Sequence, residues 1–280
     1  MQIQPIADGD IPTAAAFLHA HLNPRVSPAT WADAIRAPWP GDSTNHGFML
    51  YRGSELQGVL IAFYAEREID GQRRRVCNLG AWCVLPEARL HSLRMLRTAL
   101  GQEGFDVTDL SPSGSVVPLN RRLGFTELDT TAVLLPAVPL PPRPGYRVVT
   151  APAQLETYLD ASHRRIYEDH RRALAARHAV LLGPDGPCYV VYRRDRRKNL
   201  PVFATVLYVS DRLRFERYAR RLASHLLRSG VLAVLVEERV GGRPRGSVSI
   251  SMNRPKMVRS ATVPPDRFDY LYSELVCVPW

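Results

Sequence analysis

The chain has little cysteine, almost no lysine and no long apolar run. Its four cysteines, Cys77, Cys83, Cys188 and Cys277, are widely spaced, form no CxxC pair and stand in no cluster with histidine. That spacing argues against a zinc site and a disulfide framework. It predicts four buried or half-buried thiols in a reducing compartment, with the cytoplasm as the default. No segment approaches the roughly 18 uninterrupted apolar residues of a membrane helix, so no membrane span is expected. The opening Met1-Gln2-Ile3-Gln4-Pro5 lacks the basic, apolar and small-residue order of a secretory leader. Hydrophobic residues make up 45% and charged residues 23% of 280 positions, a globular composition with length for two ordinary domains.

With lysine so scarce, arginine supplies nearly all of a formal charge of +10, from 37 Lys+Arg against 27 Asp+Glu. Such a surface favours polyanions: nucleic acid, acidic headgroups, CoA or nucleotide-linked sugars. A high-GC genome that encodes Arg in place of Lys would produce the same excess, spread over solvated faces. Charge therefore selects no ligand. The densest run, Arg193-Arg194-Asp195-Arg196-Arg197-Lys198, has no interleaved aromatic. It predicts a solvated hairpin tip between strands, and nucleic acid is not an expected partner.

The clearest boundary is Pro136-Ala137-Val138-Pro139-Leu140-Pro141-Pro142-Arg143-Pro144-Gly145, whose prolines deny helix and central strand alike. The expected organisation is a first domain over 1–135, a linker over 136–145 and a second domain over 146–280. In the first, residues 2–6 predict a strand, 10–21 and 28–35 helices, and 48–51 and 55–64 strands around Arg52-Gly53-Ser54. Residues 65–75 read as a polar turn, 75–84 as the next strand, and 127–135 as the last. In the second, 146–149, 179–182, 188–193, 201–210 and 231–237 predict strands, and 153–175 and 211–228 helices. The strand-helix-strand unit over 201–237 parallels the one over 76–110.

The informative stretch lies between residues 76 and 125. An apolar strand ends in Trp82-Cys83-Val84-Leu85-Pro86-Glu87-Ala88-Arg89, and a helix follows through Leu100. After the apolar 105–110 come Ser111, Ser113 and Ser115, then Arg121-Arg122-Leu123-Gly124-Phe125. This order resembles the cofactor-binding half of the GCN5-related N-acetyltransferases, the GNAT fold. The resemblance covers about residues 3–135 well and the remainder in outline. It implies an α/β fold with mixed sheets, two GNAT-like domains in tandem, the second degenerate. It also implies acetyl-CoA or another acyl-CoA as cofactor, its pyrophosphate held at a helix N-terminus where unpaired N–H groups favour an anion.

On the family's Val-x-Pro-x-x-Arg segment, Val84, Pro86 and Arg89 match. Ser92 and Arg94 fall where the family has small residues, so Arg94 either helps neutralise phosphate or marks a changed site. The resemblance gives Val84, Leu85, Arg89, Ser92 and Arg94 to the cofactor. The second signature, Asn-x-x-Ala-x-x-x-Tyr-x-x-x-Gly-Phe, places Ser113 on the asparagine, Val116 on the alanine and Asn120 on the tyrosine. That tyrosine often protonates the departing thiolate, and an amide cannot release a proton near neutral pH. Ser113 is equally a turn former.

A base is also needed, because acylation requires a neutral amine. The strand before the cofactor loop offers Asn78, Gly80 and Trp82 but no carboxylate. Glu66, past the preceding strand, is one candidate base, and Glu274 near the C-terminus is another. His163, Tyr167 and His170 share one helical face at i, i+4 and i+7, which suits either proton transfer on an anionic acceptor or an ordinary amphipathic helix. The tail Asp269-Tyr270-Leu271-Tyr272-Ser273-Glu274-Leu275-Val276 resembles tails of GNAT-like proteins near bacterial polysaccharide gene clusters. As an apolar terminal segment it should dock on the core.

These readings converge on an acyl-CoA-dependent acyltransferase of the bacterial cytoplasm. Its partner would be a small-molecule acceptor with an amine or hydroxyl, anionic, such as a polysaccharide precursor; self-association stays open. Two alternatives remain. One is a non-catalytic tandem module that binds a metabolite or partner. The other is a Fem-like transferase using aminoacyl-tRNA, which the charge allows but which lacks the expected helical arm.

Overall fold

The computed structural model describes residues 1–41, 45–197, 200–251 and 254–280. Along the first part run β1 (Gln2–Pro5), α1 (Ile11–His21), α2 (Pro28–Ile35), β2 (Gly47–Arg52), β3 (Glu55–Ile69) and β4 (Gln72–Val84). Next come α3 (Ser92–Leu100), β5 (Asp106–Asp109), α4 (Val117–Arg122), β6 (Thr126–Glu127) and β7 (Ala132–Pro136). The later part holds β8 (Arg147–Val149), α5 (Pro152–Leu155), α6 (Ala161–His170), β9 (Arg177–Leu182), β10 (Cys188–Arg197) and β11 (Leu200–Val209). It ends with α7 (Arg212–Leu227), β12 (Ala233–Glu237), α8 (Glu238–Gly241), β13 (Val248–Ile250), β14 (Met257–Arg259) and α9 (Glu274–Cys277).

These elements build two compact units. The first comprises Met1–Leu128, Pro255–Phe268 and Tyr272–Trp280; the second comprises Asp129–Arg254 and Asp269–Leu271. Each contains a seven-stranded mixed sheet, ordered β1-β2-β3-β4-β5-β14-β6 in the first and β13-β7-β12-β11-β10-β9-β8 in the second. Read in the opposite direction, the second sheet repeats the first. In each, antiparallel strands lead to one parallel pair, β4 with β5 and β11 with β12, joined by an intervening helix, α3 or α7. The chain therefore folds as a tandem α/β repeat.

The repeat carries an exchange. The sixth position of the first sheet is filled by β14, paired to β5 at Val258↔Thr108 and to β6 at Val258↔Thr126. The same position in the second sheet is filled by β7, paired to β12 at Val234↔Leu135 and to β13 at Ser249↔Val133. Neither sheet is complete without a strand from the other half of the sequence. The sequence reading put the division at the proline-rich 136–145. The compact units instead part at Leu128 and Asp129, with Leu128 N–H bonded to the Lys256 carbonyl at 2.8 Å.

Local chemistry accounts for the element ends. Ser27, Asp160 and Asp211 accept N–H bonds from Thr30, His163 and Arg214 and so start α2, α6 and α7. Gly47 has φ +113°, and a Cβ there would meet the Leu60 carbonyl oxygen at 2.0 Å, so only glycine lets β2 lie on β3. In the first unit one face of the sheet packs Leu60, Ala62, Leu79 and Met257 against Met95 and Leu96 of α3 and Val117 of α4.

Four sequence expectations change. The polar turn over 65–75 is a hairpin whose arms reach Ile69 and Gln72, closed by Asp70-Gly71. Both turn residues have positive φ, the Asp-Gly turn that matches strand twist. The helix over 153–175 is broken, because Leu159 is extended and Asp160 restarts the chain as a cap. The strand over 127–135 splits into β6 and β7, which enter different sheets. The basic run is largely strand: Arg193 is buried in β10 and paired with Asp195 at 2.7 Å. Lys198, its last member, lies outside the described residues.

Met257, wholly buried, arrives from the far end of the sequence to complete the first core. Met257→Ala should cost about 2–5 kcal/mol in urea denaturation. Val248→Ala on the exposed edge strand β13 should stay within about 0.5 kcal/mol. Equal, small effects would show that β14 does not hold the first sheet together.

Candidate functional site

The first sheet opens beside β4. Parallel pairing with β5 runs from Val76↔Asp106 to Leu79↔Asp109 and stops there, while β4 continues to Val84. The cause lies on the other edge. Leu60 faces Trp82 but Ala62 faces Leu79, so Gly80 and Ala81 together oppose Ile61. An extra residue of this kind bends a strand and increases its twist, which turns β4 away from β5. Gly80 is required: a Cβ would lie 2.7 Å from the Phe63 ring and 3.4 Å from Glu274 Cβ.

At this split the first unit gathers polar groups. Asn78 on β4 donates through Nδ2 to Thr108 Oγ1 at 3.0 Å and accepts the Glu274 N–H at 3.0 Å. Ser111, just past β5, donates its hydroxyl to Glu274 Oε1 at 2.8 Å. Ser273 caps α9 and holds Glu274 there, fully buried. Burial, with the Glu274 charge adding to it, raises the neighbouring Cys277 thiol well above its ordinary range. Trp280 packs edge-on against Trp31 at 5.4 Å, so the terminal segment docks on the core of this unit.

Asn120 is buried and donates through Nδ2 to Asp109 Oδ2 at 2.8 Å. Burial pushes the Asp109 carboxyl up to about 6, against the pull of bonds from Asn120 and from the Ser111 N–H. The sequence reading passed over Asp109. Its local signal is weak, since Asp109 is one of two carboxylates, with Asp106, in the strand-like 105–110.

The cofactor candidates lie on the α3 side. Trp82 and Val84 point into the core face shared with Ala88 and Met95, and the buried Trp82 indole N–H has no partner among the described residues. Leu85 is half-buried and donates its N–H to the Gln57 carbonyl. Residues Pro86–His91 form a 3-10 turn that runs directly into α3. Ser92 donates both its N–H and its hydroxyl, the latter at 2.7 Å, to the Arg89 carbonyl. The Arg89 side chain is exposed, and Arg94 swings to the Met1 carbonyl at 3.3 Å. Ser113 is exposed and meets Ser115 at 3.2 Å.

The remaining candidates stand elsewhere. Glu66 pairs with Arg73 at 2.6 Å on the hairpin arm opposite Arg75, well before the bulge. In the second unit His163 meets Asp160 at 2.7 Å, and its ring lies 6.1 Å from Tyr189 and 6.2 Å from Tyr208. His170 is fully buried and donates Nδ1–H to the Ile166 carbonyl of its own helix. The shared face of α6 thus turns inward, where Tyr189 donates to His178 and burial pushes His178 down to about 4.

The second unit repeats the split and fills it. Parallel pairing of β11 with β12 stops at Thr205↔Leu235, and Leu207 is the extra residue. Tyr270 donates its N–H to the Leu207 carbonyl and its hydroxyl to Glu237, with Arg239 over its ring.

No protein-family model matches the chain, and no curated protein matches its sequence. Solved structures do match its fold. A GCN5-related N-acetyltransferase from Anabaena variabilis superposes with a TM-score of 0.61 at 15% identity, over 92% of this chain and 72% of that one. A GCN5-related N-acetyltransferase from Kribbella flavida gives 0.54 at 14%, over 94% and 73%. A candidate acetyltransferase from Pyrococcus horikoshii gives 0.58 at 12%, over 99% and 95%. The split mixed sheet is therefore the GNAT fold, and this chain carries it twice, in tandem. Among the described residues no helix is long and apolar enough to cross a membrane.

Two groups give stability opposite pH slopes. Unfolded, Asp109 loses its proton near 3.8; folded, it keeps it to about 6. Its contribution is full below pH 4 and is lost as pH rises through 6. His178 falls from 6.5 to about 4, so its contribution is present above pH 6.5 and is lost as pH falls through 4. In urea denaturation from pH 3.5 to 8, Asp109→Asn should flatten the first slope and His178→Gln the second. An Asp109→Asn protein with the wild-type slope between pH 4 and 6 would rule out the assignment.

Proposed function

We propose that the protein is an acyl-CoA-dependent acyltransferase whose working site is the split of the first unit. The observation that carries this reading is the Asn78–Glu274–Ser111 network beside the bulge, which sets a buried carboxylate against β4 where that strand loses its partner. The unpaired edge of β4 over residues 80–84 suits an extended, amide-bearing chain such as pantetheine. Trp82 offers it a buried indole N–H that has no partner among the described residues. Val84 and Leu85 would flank it, and Arg89, Arg94 and Ser92 would face its phosphates at the start of α3, with Ser113 on the opposite turn. The bound thioester would supply an activated acyl carbon. Glu274 would take the proton that the acceptor must lose, and Asn78 and Ser111 hold its carboxyl in place.

The acceptor on this reading is a small anionic amine or alcohol, such as a polysaccharide precursor, drawn by the arginine-rich surface of a bacterial cytoplasmic protein. Glu66 is paired with Arg73, and His163 and His170 pack against the second sheet, so this reading assigns them no role. The filled split of the second unit fits a domain kept for architecture.

A second reading, a non-catalytic tandem module, draws on one observation. The Arg89 carbonyl occupies the Ser92 N–H, one of the donors that the family's loop would offer to pyrophosphate. Calorimetry with acetyl-CoA and longer acyl-CoAs separates the two. The transferase should bind with micromolar affinity, and Ser92→Trp should weaken binding at least tenfold. Glu274→Gln should keep the affinity within about threefold yet slow thiol release about 10²-fold. Absence of binding across the acyl-CoA series would leave the module.

A further inference from the structure

We infer that Asp109 is a second proton-carrying carboxyl of this site, joined to Glu274 through Ser111 and standing in for the hydroxyl that Asn120 lacks. The inference rests on the acyltransferase reading. Its basis is one serine between two buried carboxyls: the Ser111 N–H bonds Asp109, and the Ser111 hydroxyl bonds Glu274. Asp109 is also the last residue of β5 paired to β4, at the point where the sheet divides. The fully buried amide of Asn120 holds it from α4, and Asn120 Oδ1 has no partner among the described residues. The residue in the tyrosine position thus orients an acid instead of being one.

Leu79 from β4 and Met257 from β14 flank Asp109 in the sheet. The charged side chains on the surrounding elements are Arg73, Arg74 and Arg75 on β4, Arg259 on β14 with Lys256 just before it, and Arg121 and Arg122 on α4. Arg74 is held by Asp106, Arg73 by Glu66 and Arg121 by Glu127. Desolvation dominates at Asp109, which keeps a proton available near neutrality where an exposed aspartate would not. Paired carboxyls whose surroundings differ can divide acid and base work between them.

The proton balance closes. The acceptor nitrogen or oxygen bonds the acyl carbon as the carbon–sulfur bond breaks, its electron pair left on sulfur. Glu274 receives the proton that the acceptor loses, and Asp109 gives its own to the sulfur. The proton on Glu274 then leaves to solvent and Asp109 is reprotonated from solvent; Ser111, whose link to Asp109 is a backbone N–H, holds the two carboxyls in place and carries no proton.

Acetyl-CoA binding to the full chain, measured calorimetrically at pH 6 and pH 8 in buffers of different ionisation enthalpy, counts protons exchanged on binding. Wild type should exchange a fraction of a proton at pH 6 and almost none at pH 8. Asp109→Asn should exchange measurably less than wild type at pH 6, the remainder coming from the cofactor's own phosphate monoester. Ser111→Ala, which cuts the bridge from its exposed side, should bind acetyl-CoA and shift the pH midpoint of exchange. Thiol release should fall above pH 6 in wild type and be about 10²-fold slower and flat with pH in Asp109→Asn. A proton count unchanged in a folded Asp109→Asn protein overturns the inference while leaving the transferase intact. Failure of wild type to bind acetyl-CoA sinks the transferase reading, and this inference with it.

Discussion

A single extra residue in β4 organises the first unit. Gly80 and Ala81 share one partner, the strand turns, and pairing with β5 ends at Leu79. A sheet cannot leave backbone donors and acceptors unpaired in its interior without some other group to meet them. The opening is therefore a place where something must be bound, whether a side chain, a segment of the same chain or a ligand. The second unit shows the first of these answers, with Tyr270 bonded to the bulged Leu207 and to Glu237. In the first unit the tail reaches β4 through Glu274, which bonds Asn78 and Ser111 beside Gly80.

The buried polar groups around that opening are costly unless they satisfy one another. Asn78 uses both ends of its amide, on Thr108 and on the Glu274 backbone, and Ser111 uses both its N–H and its hydroxyl. Asp109 and Glu274 are retained inside the protein only because this network surrounds them. Such an arrangement favours unique geometry over raw stability.

The stretch from β4 to α4 was the most legible part of the sequence. The Val-x-Pro-x-x-Arg spacing, the Leu-Gly-Phe segment and the alternation of strand and helix are local patterns, and they pointed to the fold that the solved structures share. The chemistry of an amide already speaks against Asn120 as an acid; that this amide holds Asp109 is visible only in the three-dimensional contact. The His163, Tyr167 and His170 face was a real helical face, but periodicity does not say whether a polar face meets a substrate or a sheet. Here it meets Tyr189, Tyr208 and His178.

What the sequence by itself determined is therefore local: the strands and helices through their apolar periodicity, the caps through Ser27, Asp160 and Asp211, and the cofactor-like order from Val84 to Phe125. Only the tertiary structure decided which distant residues complete each sheet and each opening. The exchange of β7 and β14 depends on edges that no local pattern encodes, since a short apolar segment can pair with any free strand of matching register. Glu274 stands 163 residues from Ser111. Their meeting follows from the path of the tail back into the first unit, and with it comes the placing of two buried carboxyls on one serine.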